Sequence, residues 1–201
     1  MLYSRAMRGP MWEILDKLAA LTPPTLFVFI MGGLAEDVLL GQELDRPHKD
    51  LDLLARPGTL AALTAQLASI QPDEWAVVLA GVSGQPLMLR GQAGSLELEI
   101  YQALPEPDGF SIEVPPQGPA GRLRLFLPAD TFAYPPTVLD GLAIQTVSPL
   151  SLALMRASSA QTRHVDVAEK RARDLAVLEQ LRAAFLSTHT DAQLKPRVEP
   201  V

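Results

Sequence analysis

The sequence has no cysteine and no surplus of basic residues, and each absence excludes a class of function. Without cysteine, the chain forms no disulfide and no thiolate metal site. The 23 acidic residues outnumber the 17 lysines and arginines and give a net charge of −6. No uniform basic field is therefore present to hold a nucleic acid without sequence preference, and a nucleic-acid partner is disfavoured.

Long apolar segments are also missing. The longest apolar run, Leu26 to Ala35, has ten residues and contains two glycines, whereas a membrane helix needs about 20 residues. At the N-terminus, Arg5, Arg8 and Pro10 precede a helical pattern with polar interruptions, which is not the continuous apolar stretch of a secretory signal. We therefore expect a cytoplasmic protein without membrane contact, and its 48% hydrophobic content suffices for a globular core.

The first half of the chain alternates between helical and extended patterns, which predicts an α/β (α+β) fold. A helical pattern from Trp12 to Ala19 ends before two prolines, and an apolar run at 25–31 predicts a buried strand. A short helix should follow two glycines and end at Gly41, which is suited to a left-handed cap. The other elements predicted here are a strand at 50–55, a helix at 59–70 and strands near 75–80, 86–90 and 95–103.

The second half begins with a segment rich in proline and glycine, at 105–121, which we interpret as a loop or linker with at most a short strand at 110–114. Strands are predicted at 123–127 and 142–147, and helices at 149–161 and 164–187. The last residues show no periodicity and predict a mobile tail. We therefore divide the chain into a core at 1–121, C-terminal strands and helices at 122–188 and a tail at 189–201.

Two aspartates are the first candidate functional residues. Asp50 and Asp52 are two residues apart in a predicted strand, so their carboxylates project from the same face while Leu51 points into the core. Such carboxylates repel each other unless a cation bridges them, and their oxygen ligands suit Mg²⁺ together with substrate phosphates. A solvated strand face gives the same pattern, so the context has to decide between the two interpretations.

The context is a pair of glycines, Gly32 and Gly33, between the buried strand and the short helix. Without side chains, the backbone amides and the helix N-terminus can approach a phosphate closely. A tight strand-to-helix turn is the alternative, although it requires one glycine more readily than two. One helix and a return loop fit between Gly33 and Asp50, which would bring the aspartates next to the glycine turn.

These residues resemble a known family. The segment Gly32-Gly33-Leu34-Ala35-Glu36-Asp37, followed by Arg46-Pro47-His48-Lys49-Asp50-Leu51-Asp52, is similar to the aminoglycoside and lincosamide nucleotidyltransferases of the polymerase-β-like superfamily. The close match covers about a tenth of the chain. The resemblance implies a nucleotidyltransferase-type mixed sheet with flanking helices, followed by a helical C-terminal part. It also implies an enzyme that uses ATP and two Mg²⁺ ions to transfer AMP to a hydroxyl of a small acceptor, with release of pyrophosphate.

The resemblance also implies a third carboxylate on a later strand, which holds metal or removes the acceptor proton. Glu97 and Glu99 are the candidates, because leucine and isoleucine occupy the opposite face of their strand. In the family this carboxylate usually lies near the end of the strand, which favours Glu99, although the family usually has aspartate there. An exposed polar strand face is the alternative interpretation.

Charged residues near the motif have two interpretations each. Asp37 lies too late in its helix to act as a cap, so we assign it either a site role or a surface role. Arg46 and His48 flank the predicted metal strand, where they either contact phosphate or acceptor or only form the turn. On the predicted C-terminal helices, the resemblance implies that Arg156 and Lys170 reach the triphosphate, whereas a solvated, charge-rich helix is the alternative.

The sequence therefore predicts a Mg²⁺-dependent adenylyltransferase whose substrates are a nucleoside triphosphate and a small acceptor similar to an aminoglycoside or a lincosamide. The rival hypothesis is a binding module with this fold that has lost catalysis, such as the antitoxin half of a toxin pair. The intact Asp50 and Asp52 argue against the rival, while the acidic composition and the proline-rich segment leave a protein partner open.

Overall fold

The structure is a computed structural model that describes residues 10–21, 28–41, 48–67, 76–81, 83–115, 121–139, 141–162 and 168–201. Its helices are α1 (Pro10–Leu21), α2 (Gly32–Leu39), α3 (Leu60–Leu67), α4 (Pro149–Thr162) and α5 (Ala168–Phe185). Its strands are β1 (Val28–Met31), β2 (Asp50–Ala55), β3 (Ala76–Ala80), β4 (Pro86–Ala93), β5 (Leu96–Gln102), β6 (Leu104–Glu106), β7 (Gly109–Val114), β8 (Leu123–Pro128), β9 (Thr137–Leu139), β10 (Leu142–Ile144) and β11 (Val198–Pro200).

The first five strands form one mixed sheet in the order β1-β2-β5-β4-β3. β2 and β5 run parallel, and the other neighbouring strands are antiparallel. The predicted mixed sheet is thus confirmed. Leu51, Leu53, Leu98 and Ile100 have at most 2% exposure, so one face of β2 and β5 is fully buried. The opposite face of these strands carries the acidic side chains.

Part of the segment that we expected to be a loop or linker belongs to a second sheet, and the short strand expected at 110–114 is confirmed as β7. β6 and β7 pair as a hairpin, and β7 continues the pairing to β8, so that the sheet order is β11-β8-β7-β6. The expected boundary between residues 121 and 122 therefore falls inside this sheet. The residue composition at 105–121 misled the interpretation, because its turn residues mark the ends of short strands as well as loops.

The C-terminal residues differ from the predicted mobile tail. β11 pairs with β8, Leu194 is 8% exposed, and Arg182 on α5 contacts Asp191 at 2.6 Å. A strand of three residues has no readable periodicity, and its stability comes from a partner more than 70 positions earlier in the chain. The sequence pattern alone could not reveal this pairing.

The two sheets and the C-terminal helices share one core. Phe132 lies 4.8 Å, between ring centroids, from both Phe29 on β1 and Phe110 on β7. The backbone of Ile30 bonds to the segment that precedes α4, through Gln145 and Val147, which attaches the helices to the edge of the main sheet. None of the helices in the described part of the chain is long and apolar enough to cross a membrane.

Candidate active site

The parallel pairing of β2 and β5 brings four carboxylates to one face of the main sheet. Asp50 is in register with Glu97, and Asp52 is in register with Glu99. Residues in register on neighbouring strands project from the same face, as do residues two apart on one strand. The alternation of leucines and acids in both strands thus produces a compact acidic patch, which we call the carboxylate row: Asp50, Asp52, Glu97 and Glu99.

Of the two candidates for the third carboxylate, Glu99 has more side-chain contacts than Glu97. Arg90 on β4 is in register with Glu99 and donates to its Oε1 from Nε at 3.0 Å and from Nη2 at 2.5 Å. Tyr101 donates its hydroxyl to Oε2 of Glu99 at 2.8 Å. Glu97 pairs with Arg90 at 2.8 Å, and its side chain is 43% exposed against 18% for Glu99.

Asp52 carries the strongest electrostatic perturbation in the carboxylate row. Burial, followed by the charges of Asp50 and Glu99, raises the pKa of Asp52 from 3.8 to about 7, although Arg156 opposes the shift. An ionised Asp52 is therefore costly in this position without a further positive charge. Burial and the neighbouring Glu99 also raise the pKa of Tyr101, so its hydroxyl keeps the proton that it donates.

The glycine turn lies directly against Asp52. Gly32 has a φ of +66°, a backbone conformation that favours glycine, and a Cβ atom at this residue would collide with the Asp52 carboxylate. Met31, the last residue of β1, is in register with Asp52, so the chain leaves the sheet at this point to begin α2 at Gly32. The N-terminus of α2, with Gly33, therefore adjoins the carboxylate row, as the sequence predicted.

Arg156 lies between acidic side chains from two other helices. It donates from Nε to Glu36 on α2 and from Nη1 to Asp174 on α5, the latter at 2.9 Å. The side chains of Glu36 and Asp174 are at most 4% exposed, and that of Arg156 is 18% exposed. A buried arginine between two carboxylates joins α2, α4 and α5, and its charge also acts on Asp52.

The remaining predicted residues fall in three places. Asp37 and His48 form a buried contact of 3.0 Å between Oδ2 and Nε2, which connects α2 with the residue two positions before β2. Asp37 therefore has neither a cap role nor a surface role. Lys170 is exposed in the first turn of α5, one turn before Asp174. Arg46 lies outside the described residues.

The donor set of the carboxylate row fits a hard divalent cation. Carboxylate oxygens are the ligands that Mg²⁺ uses, and one or two of them suffice when phosphates and waters complete its coordination. Asp50 and Asp52 supply such a pair, and a cation would offset the repulsion that raises the pKa of Asp52. Within the described ranges, no three His, Asp or Glu side chains are arranged to hold one ion together. Glu99 is occupied by Arg90 and Tyr101 instead.

Sequence reasoning missed Arg90, Tyr101 and Glu36 as parts of the site. Arg90 is an exposed charged residue at the end of an apolar run, and this is the feature of the sequence that could have indicated it. Its contact with Glu99 depends on the antiparallel register of β4 and β5, which a single strand pattern does not show. Glu36 lies within the glycine motif, but only the fold reveals that it faces Arg156 on a helix 120 positions later.

Comparison with protein-family models and with curated proteins finds no match. Comparison with solved structures finds the aminoglycoside-resistance factor ANT(2'')-Ia. Its solution structure is 21% identical with a TM-score of 0.52, and 92% of this chain and 97% of that chain are covered. Its crystal structure with adenylyl-2''-tobramycin is 19% identical with a TM-score of 0.55, and 90% of this chain and 100% of that chain are covered.

A second solved relative is the lincosamide antibiotic adenylyltransferase LnuA, in a crystal structure with bound lincomycin. It is 18% identical with a TM-score of 0.52, and the match covers 90% of this chain and 99% of that chain. Both proteins are matched over nearly their full lengths. The chain therefore has the fold of the antibiotic nucleotidyltransferases, as its sequence motif indicated.

Proposed function

We propose that this protein is an adenylyltransferase that transfers AMP from ATP to a hydroxyl group of a small acceptor and releases pyrophosphate. The observation that carries the proposal is the carboxylate row beside the glycine turn, where Gly32 directly contacts Asp52. A phosphate held at the N-terminus of α2 would lie next to two carboxylates that need a cation. This juxtaposition is what transfer of a nucleotide requires.

Asp50 and Asp52 are the residues that would hold Mg²⁺. The metal would neutralise charge on the triphosphate and increase the acidity of the acceptor hydroxyl. Gly32 and Gly33 would allow the phosphates to approach the backbone at the start of α2, because neither residue has a side chain. Arg156 and Lys170 remain candidates for the triphosphate, and so does Arg46. Arg156 would contribute its positive charge while it keeps its contacts with Glu36 and Asp174.

Glu99 is the proposed base for the acceptor. In the transfer step the acceptor oxygen forms a bond to the α-phosphorus, the bond from that phosphorus to pyrophosphate breaks, and the hydroxyl proton passes to a carboxylate. Glu99 is next to Asp52 in register and is less exposed than Glu97, which supports this assignment over Glu97.

The acceptor is proposed to be a small hydroxyl-bearing compound of the aminoglycoside or lincosamide kind. This proposal takes its support from ANT(2'')-Ia and LnuA, whose solved structures contain a tobramycin adduct and lincomycin respectively. Both matches cover 90% of this chain, and they support the proposal at the level of the fold.

Release of pyrophosphate tests the proposal. The protein would be incubated with Mg-ATP and a panel of aminoglycosides and lincosamides, with parallel reactions that contain GTP, CTP or UTP. We expect acceptor-dependent release with ATP, and no release with Asp52→Asn or with excess chelator. Binding of ATP that is equal with and without Mg²⁺, together with no release for any acceptor, would instead favour the non-catalytic binding module.

A further inference from the structure

Glu99 is held from two strands and through both of its oxygens. Arg90 on β4 donates to Oε1, and Tyr101 on β5 itself donates to Oε2 at 2.8 Å. Tyr101 is 9% exposed, so its hydroxyl position is determined by packing in the core. A carboxylate with a separate donor for each oxygen is restrained both in position and in the rotation of its plane.

This restraint matters because glutamate is a long side chain. A glutamate loses much more rotamer freedom than a short side chain when it is fixed in one geometry. A carboxylate that accepts a proton in the transition state has to be held close to its productive position. Glu97, the neighbouring candidate, is 43% exposed, and among the described residues its side chain pairs with Arg90 and with no second donor.

We propose that Arg90 and Tyr101 are positioning residues that hold the Glu99 carboxylate beside Asp52 for the transfer reaction. This inference rests on the function proposed above. Arg90 has a second effect, because its guanidinium also contacts Glu97. Its positive charge thus reduces the repulsion between the two glutamates. The pair acts on the chemical step through Glu99 and does not take part in binding of the nucleotide.

Steady-state kinetics of single variants test this role. In Tyr101→Phe and Arg90→Gln, Glu99 loses one of its two restraints, so we expect kcat to fall about 10-fold to 100-fold. The KM for ATP and the dissociation constant of Mn-ATP should stay within about twofold. Arg90→Lys should recover part of kcat, because the ammonium keeps the charge but lacks the two-nitrogen geometry.

Two matched controls show what a merely structural change does. Arg124→Gln removes an arginine that pairs across strands with Glu113 at 2.8 Å in the second sheet, and Tyr134→Phe removes a hydroxyl from a ring that packs against Phe185. Both controls should leave kcat unchanged at a temperature well below unfolding. A rise in the KM for ATP instead of a fall in kcat in Arg90→Gln would show that Arg90 binds nucleotide, and it would overturn the proposal.

A crystal structure of the Arg90→Gln/Tyr101→Phe double variant, compared with the wild type, gives a test that does not depend on turnover. We expect the Glu99 carboxylate to leave its position beside Asp52 in the variant. A carboxylate that stays in place without both donors would overturn the positioning role, even if the wild type is an active transferase. If the wild type shows no turnover, the proposed function fails, and the displacement of Glu99 still decides whether Arg90 and Tyr101 position it.

Discussion

Two clusters of charged side chains on the two sheets are built in opposite ways. In the second sheet, Glu113 is 6% exposed, and each of its oxygens meets its own guanidinium, from Arg122 at 3.0 Å and from Arg124 at 2.8 Å. In the main sheet, Glu97 and Glu99 of the carboxylate row share one arginine, Arg90 on the neighbouring strand β4. Arg156, whose charge also acts on Asp52, is already paired with two acids.

We interpret the difference as one between a structural cluster and the proposed functional one. Around Glu113 one carboxylate faces two guanidinium groups, so its negative charge is compensated within the protein. Among the described residues around Asp52 the acids outnumber the arginines, and the neighbouring acids contribute to its raised pKa. This imbalance next to the glycine turn supports the proposal that an external cation binds there.

The largest expected effect comes from Asp52→Asn. This change removes a charge that a metal needs, so we expect turnover to fall by more than about 100-fold, beyond the range typical of outer-shell partners. Stability of the apo protein at pH 8 should be unchanged or higher, because repulsion by Asp50 and Glu99 is relieved. Pyrophosphate release and thermal unfolding measure the two effects.

Glu113→Gln is the counterpart in the second sheet. It should leave turnover unchanged and lower the free energy of unfolding by about 1–3 kcal/mol, since two guanidinium groups lose their partner. The comparison of the two clusters breaks down if Asp52→Asn destabilises the apo protein as much as Glu113→Gln does. Asp52 would then be a structural carboxylate.

The next effect concerns Arg156, which connects three helices. Arg156→Gln should lower the free energy of unfolding by about 3–5 kcal/mol, because Glu36 and Asp174 remain buried without their counter-charge. Arg182→Gln is the control, since its pair with Asp191 is exposed and should be worth about 0–1 kcal/mol. Chemical denaturation measures the free energy of unfolding of both variants. Equal losses would show that Arg156 does not stabilise the fold as the counter-charge of Glu36 and Asp174.

Gly32→Ala tests the contact between the glycine turn and the carboxylate row. Alanine at a positive φ costs about 1–2 kcal/mol, and its Cβ would in addition displace the Asp52 carboxylate. Gly58→Ala has the same backbone cost at φ +74° but meets open space. We expect Gly32→Ala to lower stability at least as much as Gly58→Ala, and about a 100-fold loss of turnover for Gly32→Ala alone. Full activity of Gly32→Ala would show that the glycine turn is not part of the active site.

The smallest expected effect is a pH dependence of stability. Between pH 4 and 7 the folded Asp52 stays protonated, while in the unfolded chain it is ionised at its ordinary pKa. The folded state therefore binds more protons, and the contribution of Asp52 to stability is lost as the pH rises through this window. The melting temperature of Asp52→Asn minus that of the wild type should increase from pH 5 to pH 7.5, and Mg²⁺ should reduce the increase. A constant difference would contradict the raised pKa.

The sequence predicted the strands of the main sheet, and in the second sheet it predicted β8 and a short strand at β7, but not β6 or β11. β1, β2 and β5 were readable because a buried strand or an alternating pattern of five or more residues leaves a clear signal. β6, β9 and β11 have three residues each, and their pairing depends on partners that a local pattern does not contain. Of these, β6 and β11 lie where a loop and a tail were predicted.

The candidate site divides in the same way. Asp50, Asp52 and the glycines were predicted from spacing along one segment, whereas the arginines that face them come from other elements. Arg90 reaches Glu99 through strand register, and Arg156 reaches Glu36 through helix packing. Spacing within one strand reports which acids share a face, but it does not report which cations the fold brings opposite to them.

Metal-dependent binding of ATP tests the central claim most directly. The melting temperature of the wild type would be measured with Mg-ATP, with ATP and excess chelator, and with Mg²⁺ alone. Saturating Mg-ATP, at about 100 times its dissociation constant, should add about 2.7 kcal/mol and raise the melting temperature by several degrees. ATP with chelator should give a much smaller shift, because the uncompensated carboxylate row repels the triphosphate. Equal shifts with and without Mg²⁺, or no shift with either, would contradict a metal and nucleotide site at Asp50 and Asp52.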